Sequence, residues 1–113
     1  MSVTLWHNTA CSKSRNALKL IRDAGLDPVI VDYLADPPDV ATLRKVLADA
    51  GLRASELVRS NEPVFAELGL AGADEAQLVA AMGAHPRLIN RPIVITEKGT
   101  RLCRPPERVL DIL

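Results

Sequence analysis

The order of elements in the first 31 residues narrows the fold more than any other feature of the chain. Val3-Thr4-Leu5-Trp6 is a short apolar run with the residue types of a buried strand, and it passes into a polar loop, His7-Asn8-Thr9-Ala10, that ends at Cys11. A helix follows at once. Ser12 is placed to cap it, Ala17, Leu18, Ile21 and Ala24 recur at helical spacing, and Gly25 supplies a stop. Pro28 then opens Val29-Ile30-Val31, a β-branched run suited to a parallel strand buried on both faces. A right-handed crossover brings the two strands into one sheet and leaves the loop before Cys11 at a carboxyl edge, where α/β proteins place their sites. The pattern therefore predicts an α/β chain with Cys11 at a helix N-terminus on that edge.

The middle of the chain changes period. Asp39 caps a predicted helix with Leu43, Val46, Leu47 and Ala50 on one face, closed by Gly51. Shorter helices are expected at Ser55 to Arg59, at Pro63 to Leu68 with proline in the first turn, and at Asp74 to Met82, where Asp74 and Gln77 are spaced as a capping box. His85-Pro86 ends this section. Strand character returns with Ile93-Val94-Ile95-Thr96 and Thr100-Arg101-Leu102-Cys103, which flank Glu97-Lys98-Gly99 as a hairpin signal. Arg104-Pro105-Pro106-Glu107 breaks the strand and starts a terminal helix with Val109, Leu110 and Leu113 expected on one side.

A length of 113 residues with 48% apolar composition predicts one domain, 1–113, around a single core. Fourteen basic and fourteen acidic residues cancel, which removes the long-range field that a nucleic-acid or anionic-membrane binder uses to gather its partner. Neither nucleic acid nor membrane is expected as a partner, and any anion specificity has to be local. Met1 to Asn8 lacks a basic segment followed by a long apolar stretch, and a cytoplasmic location is expected. In a reducing compartment the two cysteines, Cys11 and Cys103, read as thiols rather than as a bridge.

A thiol becomes a nucleophile when its thiolate is stabilised, and a helix N-terminus offers unpaired N–H groups and partial positive charge. Cys11 has that position. Ser14 lies one turn on, with a hydroxyl able to donate to the sulfur, and His7 and Asn8 line the approaching loop. The competing reading, which the local sequence leaves open, is that Cys11 is a small buried hydrophobe. Cys11 and Ser14 also form a C-x-x-S pattern, with serine where a dithiol oxidoreductase keeps its resolving cysteine. Redox turnover at Cys11 then requires an external thiol, and glutathione is the expected small-thiol co-substrate.

Three arginines stand out: Arg59 at the end of a helical segment, Arg91 before Pro92, and Arg104 before Pro105-Pro106. Most arginines face solvent. Proline restricts its predecessor to extended backbone, however, so Arg91 and Arg104 have fixed bases from which a planar guanidinium can be aimed at an oxyanion. Pro92 is also a candidate cis-proline, a geometry that would turn Arg91 toward the Cys11 loop.

His7-Asn8-Thr9-Ala10-Cys11-Ser12-Lys13-Ser14-Arg15 resembles the active-site signature of the glutathione/glutaredoxin-coupled arsenate reductase family. Tyr33-Leu34 with Pro37-Pro38, Leu57-Val58-Arg59, Glu67-Leu68-Gly69-Leu70, His85-Pro86, Leu88-Ile89-Asn90-Arg91-Pro92-Ile93-Val94 and Arg101-Leu102-Cys103-Arg104-Pro105 follow in the family's order and spacing. The resemblance implies a thioredoxin-like fold, a small mixed sheet with flanking helices and a helical insertion after the second strand, about 39–85. It implies that Cys11 attacks arsenate to form a thiol-arsenate adduct, that Arg59, Arg91 and Arg104 bind the oxyanion, and that His7 and Ser14 favour the thiolate. Glutathione and glutaredoxin are the implied reductants, with no bound cofactor and no metal, and a monomer is expected. Thr9 departs from the pattern by standing where many relatives have proline, and Cys103 is expected to take no part in turnover.

Two other functions remain open at this level. Proteins similar to the Spx regulators share the fold and bind RNA polymerase, commonly with a redox-sensing C-x-x-C pair that Ser14 interrupts here. The third possibility is a thiol reductase of the same family with another substrate.

Overall fold

The computed structural model describes residues Met1–Leu113 and forms two compact units, Met1–Asp36 with Arg91–Leu113 and Pro37–Asn90. The first unit holds a four-stranded sheet of β1 (Val3–Trp6), β2 (Val29–Val31), β3 (Ile93–Thr96) and β4 (Gly99–Leu102) in the order β2-β1-β3-β4. β1 and β2 run parallel, joined through helix α1 (Ser12–Asp23), whereas β1–β3 and β3–β4 are antiparallel. Leu5 faces Ile30 on one side and Val94 on the other. This is the mixed sheet with flanking helices expected of the chain.

Both faces of the sheet bury side chains, Trp6 and Ile93 on one and a larger cluster on the other. Val3, Leu5 and Val94 pack with Ile21 of α1 and with Cys103, Val109 and Ile112 of the C-terminal segment. Alternation along β1 puts Val3 and Leu5 on the same side, and burying side chains of this size stabilises the fold by about 1.5–3 kcal/mol each. Thr96 Oγ1 donates to the Ile112 carbonyl at 2.7 Å and accepts from Lys98 N–H at 3.0 Å, which ties the hairpin turn to the end of the chain.

Several expectations need correction. Ser12 does not cap α1: Cys11 is the N-cap, with extended backbone (φ −97°, ψ 121°) and a carbonyl that accepts from Arg15 N–H at 3.0 Å. The strand at Val29–Val31 is not buried on both faces. The strand order puts β2 at the sheet edge, leaving Val29 and Ile30 exposed, because an apolar β-branched run does not reveal how many neighbours its strand has. Gly99 opens β4 opposite Thr96, so the hairpin loop is only Glu97-Lys98 and Cys103 lies just past the strand.

The terminal helix is a 3₁₀ helix, Pro106–Ile112, with Pro106, Val109 and Ile112 buried at a strict spacing of three. Leu110 is 54% exposed. A three-residue period stacks every third side chain on one line, which an α-helical reading misassigns.

The second unit is helical. α2 (Val40–Ala50) starts at Asp39, whose carboxylate accepts from Thr42 N–H at 2.8 Å, and ends at Gly51 with φ 68°. That left-handed C-terminal position suits glycine. α3 is Ala54–Leu57 rather than Ser55–Arg59, and Glu75 caps its start by accepting from the Ala54 and Ser55 N–H groups at 2.6 and 3.2 Å. α4 spans Pro63–Glu67, and α5 spans Glu75–Ala84 behind an Asp74–Gln77 capping box. The chain then makes a 3₁₀ turn at Pro86–Leu88 and pairs Ile89 with Val58 in an isolated antiparallel bridge. No helix is long and apolar enough to cross a membrane.

Candidate active site

The carboxyl end of β1 feeds a tightly fastened turn. His7 N–H continues the pairing with β2 by donating to the Val31 carbonyl at 2.9 Å. Cys11 N–H donates to the Asn8 carbonyl at 3.0 Å, and Ala10 N–H donates to Asn8 Oδ1 at 3.0 Å, so Asn8 closes the turn with both backbone and side chain. Arg15 reaches back from α1 and donates from Nη1 to the Thr9 carbonyl at 2.7 Å. The turn delivers Cys11, 8% exposed, to the first position before the helix.

Burial by itself would push the Cys11 thiol up. The opposing influences win: the Ser14 N–H, the charge and hydrogen bond of the Arg91 guanidinium, and the Lys13 N–H together hold it below its ordinary value. The sulfur lies at the N-terminus of α1 without making a side-chain cap hydrogen bond, and the partial positive charge there favours it as an anion. No acidic residue occupies the first turn of α1 to compete with it.

Ser14 serves the sulfur through its backbone, while its buried hydroxyl has other partners. Oγ lies 2.6 Å from His7 Nδ1 and accepts from Asn8 N–H at 3.1 Å. With Oγ accepting from Asn8, its own hydrogen is free to donate to His7 Nδ1, the bond expected of a neutral imidazole carrying its proton on Nε2. Burial first, and then the positive charges of Arg15 and Arg22, push the His7 pKa down, with Asp32 pulling weakly the other way. His7 therefore sets the geometry of Ser14 as a neutral partner.

Arg91 and Arg104 share the sheet end with Cys11. The Arg91–Pro92 and Arg104–Pro105 peptide bonds are both cis. Arg104 Nη1 donates to the Arg91 carbonyl at 2.9 Å, so the two arginines are fastened to one another. Arg59 belongs to the second unit, where its N–H donates to the Leu88 carbonyl at 2.7 Å and its Nη1 pairs with Glu62 Oε1 at 2.6 Å, both side chains largely buried. No cluster of three or more His, Cys, Asp or Glu side chains is placed to hold a metal ion.

Cys103 is a free thiol like Cys11 but wholly buried in the core of the first unit, and desolvation pushes its pKa up to about 12. Sequence reasoning missed the backbone N–H groups of Lys13 and Ser14, the Arg15 bond to Thr9, and the second cis-proline. Backbone donors leave no residue-type signal, whereas Arg15 was detectable as a cation in a helix turn where acidic residues are favoured.

A mixed four-stranded sheet, a thiolate-favouring cysteine before the helix that follows β1 and a cis-proline entering β3 define a thiol protein of thioredoxin-like fold. Comparison with known proteins narrows the class. The family model for the ArsC family matches residues 6–112, and the chain belongs to that family. It is 50% identical to the arsenate reductase of Rhizobium meliloti (strain 1021), with 100% of this chain and 82% of that protein covered. It is 49% identical to an Escherichia coli arsenate reductase, covering 99% and 81% respectively. Among solved structures, the arsenate reductase from Vibrio cholerae superposes with a TM-score of 0.96 at 40% identity, over 100% of this chain and 98% of that one.

Proposed function

We propose that this protein is an arsenate reductase in which Cys11 is the nucleophile and glutathione and glutaredoxin supply the electrons. The single observation that carries the reading is the placement of Cys11 at the N-cap of α1, where the Ser14 and Lys13 N–H groups and the Arg91 guanidinium lower its thiol pKa against the effect of burial. That arrangement favours a thiolate and offers a fork of donors to a tetrahedral oxyanion at the same point. Relatives named arsenate reductases at about half identity support the choice of oxyanion.

In the proposed cycle the Cys11 thiolate attacks arsenic and an arsenate oxygen leaves as water after protonation. The adduct is a thiol ester of As(V). A glutathione thiolate then attacks the Cys11 sulfur, the S–As bond breaks, and its electron pair stays on arsenic, which departs as As(III) arsenite. Cys11 is left in a mixed disulfide with glutathione. Glutaredoxin takes the glutathione sulfur and releases Cys11, so two thiols are oxidised for each arsenic reduced. Arg91 and Arg104 hold the oxyanion through charge-assisted hydrogen bonds, Asn8 shapes the turn, and His7 and Ser14 fix the thiolate geometry. Arg59 enters as the third anion ligand on the family resemblance alone. In this proposal the chain works as one domain, as a monomer and in the cytoplasm, with no bound cofactor.

The test is arsenate-dependent NADPH consumption with glutathione, glutaredoxin and glutathione reductase. Cys11→Ser is expected to abolish it, and Cys103→Ala to retain nearly all of it. No arsenate turnover by the wild-type protein, together with co-purification of RNA polymerase, would overturn the proposal in favour of a regulator.

A further inference from the structure

Four bonds fasten the Asn8–Cys11 turn besides the helix ladder. Two are internal to it, Cys11 N–H to the Asn8 carbonyl and Ala10 N–H to Asn8 Oδ1. Two join it to α1: Asn8 N–H to Ser14 Oγ at 3.1 Å at its start, and Arg15 Nη1 to the Thr9 carbonyl at 2.7 Å at its middle. The backbone N–H of Arg15 makes only the ordinary first bond of the helix, to the Cys11 carbonyl at 3.0 Å, so the specific grip on the turn comes from the guanidinium. Thr9 has no ring to fix its φ, and the stiffness of the turn therefore comes from these bonds.

Arg15 stands where helix physics disfavours it. The first turn of α1 contains Lys13 and Arg15 and no acidic residue, which sets cations against the positive end of the helix. Such a placement is unfavourable at an exposed site. A local rule broken without a gain in fold stability points to the site the residue serves. The guanidinium is planar, long enough to span one turn, and permanently charged, which suits it to gripping a carbonyl, and its charge adds to the burial that lowers the pKa of His7.

We propose that Arg15 is a positioning residue for Cys11, clamping the Thr9 carbonyl so that the sulfur stays beside the N-terminal N–H groups of α1. The inference rests on the reading of Cys11 as the reactive thiol, and its test involves no arsenate, so it stands or falls apart from the substrate assignment. Without the clamp the turn keeps its internal bonds and its tie to Ser14 at Asn8, but its middle at Thr9 is free to shift against α1. The sulfur then spends less time beside those N–H groups.

The experiment measures the alkylation rate of Cys11 by iodoacetamide against pH for Arg15→Ala and for Arg15 intact, both in a Cys103→Ala background. It is run at about 0.1 M and about 1 M salt, where the screening length falls from about 10 to about 3 Å. The inflection is expected to rise by about 0.5–1 pH unit in Arg15→Ala, making alkylation below it about 3–10-fold slower. A clamp made by a short hydrogen bond keeps that difference at high salt. Superposable curves, or a difference confined to low salt, would overturn the clamp, the latter leaving only a charge effect. Arg15→Ala should also melt at or above the temperature of the parent, since it relieves the helix end and improves propensity. A melting temperature that falls in step with the rate makes Arg15 a general fold residue and likewise overturns the proposal. A parent Cys11 that inflects at the ordinary thiol value removes the reactive-thiol reading, and the clamp with it.

Discussion

Cys11 and Cys103 lie in the same compact unit and are both withdrawn from solvent, at 8% and 0% exposure, yet their thiols are driven in opposite directions. Around Cys103 the neighbours are core side chains such as Val109 and Ile112, and the nearest polar partner is the Arg101 carbonyl at 3.7 Å, an acceptor that favours the protonated thiol. Cys11 faces two backbone donors and a guanidinium. Burial raises the pKa of both sulfurs, and only donors aimed at the sulfur reverse the sign. A cysteine count therefore says nothing about reactivity until the N–H groups around each thiol are located.

The sharpest way to break this contrast is to alkylate both cysteines across a pH series and read each by mass. A thiol pushed to about 12 lies three units above the ordinary 9.0, which leaves about a thousandfold less thiolate at neutral pH than an ordinary cysteine has. Cys11 is expected to react at least about a thousandfold faster than Cys103 at pH 7 in the folded protein, and guanidinium chloride should erase most of the difference. Comparable native rates would mean that the two environments are not as distinct as their donors indicate.

Arg91→Ala tests the charged part of the Cys11 environment. Losing a charge-assisted hydrogen bond costs about 1.5–3 kcal/mol, so the arsenate dependence kcat/KM should fall by about 10–100-fold. The alkylation inflection of Cys11 should rise in the same variant, and a fall in kcat/KM without that rise would confine Arg91 to the oxyanion. Arg104→Ala, which unfastens the Arg91 carbonyl, should lower kcat/KM in the same direction by a smaller factor.

The βαβ opening was legible because strand and helix differ in apolar period and because Pro28 and Gly25 punctuate them. Asp39, Asp74 and Gly51 announced helix ends for the same reason, through side chains that bond or bend the backbone. The edge position of β2 was not legible, since Val29-Ile30-Val31 carries no record of its missing neighbour. Nor was the 3₁₀ geometry after Pro106, where seven residues are too few to separate a period of three from one of 3.6. Within the site, Cys11, His7 and Ser14 could be picked out as side chains. What lowers the Cys11 pKa includes peptide N–H groups, identical in every residue type, so only the fold reveals which amides lie near the sulfur.

His7 extends the same rule to a second titrating group and gives the smallest of the expected effects. Its imidazole is buried, faces the positive charges of Arg15 and Arg22, and meets a hydroxyl that already accepts from Asn8. The folded pKa is therefore below the ordinary 6.5. Because the unfolded chain takes up a proton more readily than the folded one, stability is complete above about pH 6.5 and declines as the pH falls toward the lowered folded value. One proton sets the limit, at most about 1.4 kcal/mol per pH unit. In chemical denaturation at pH 7.5 and below 6.5, the wild-type protein should lose more stability on acidification than His7→Gln, which keeps a polar group near Ser14 and has no proton to gain. Equal losses would mean that neither burial nor the Arg15 and Arg22 charges lower the His7 pKa in the folded protein.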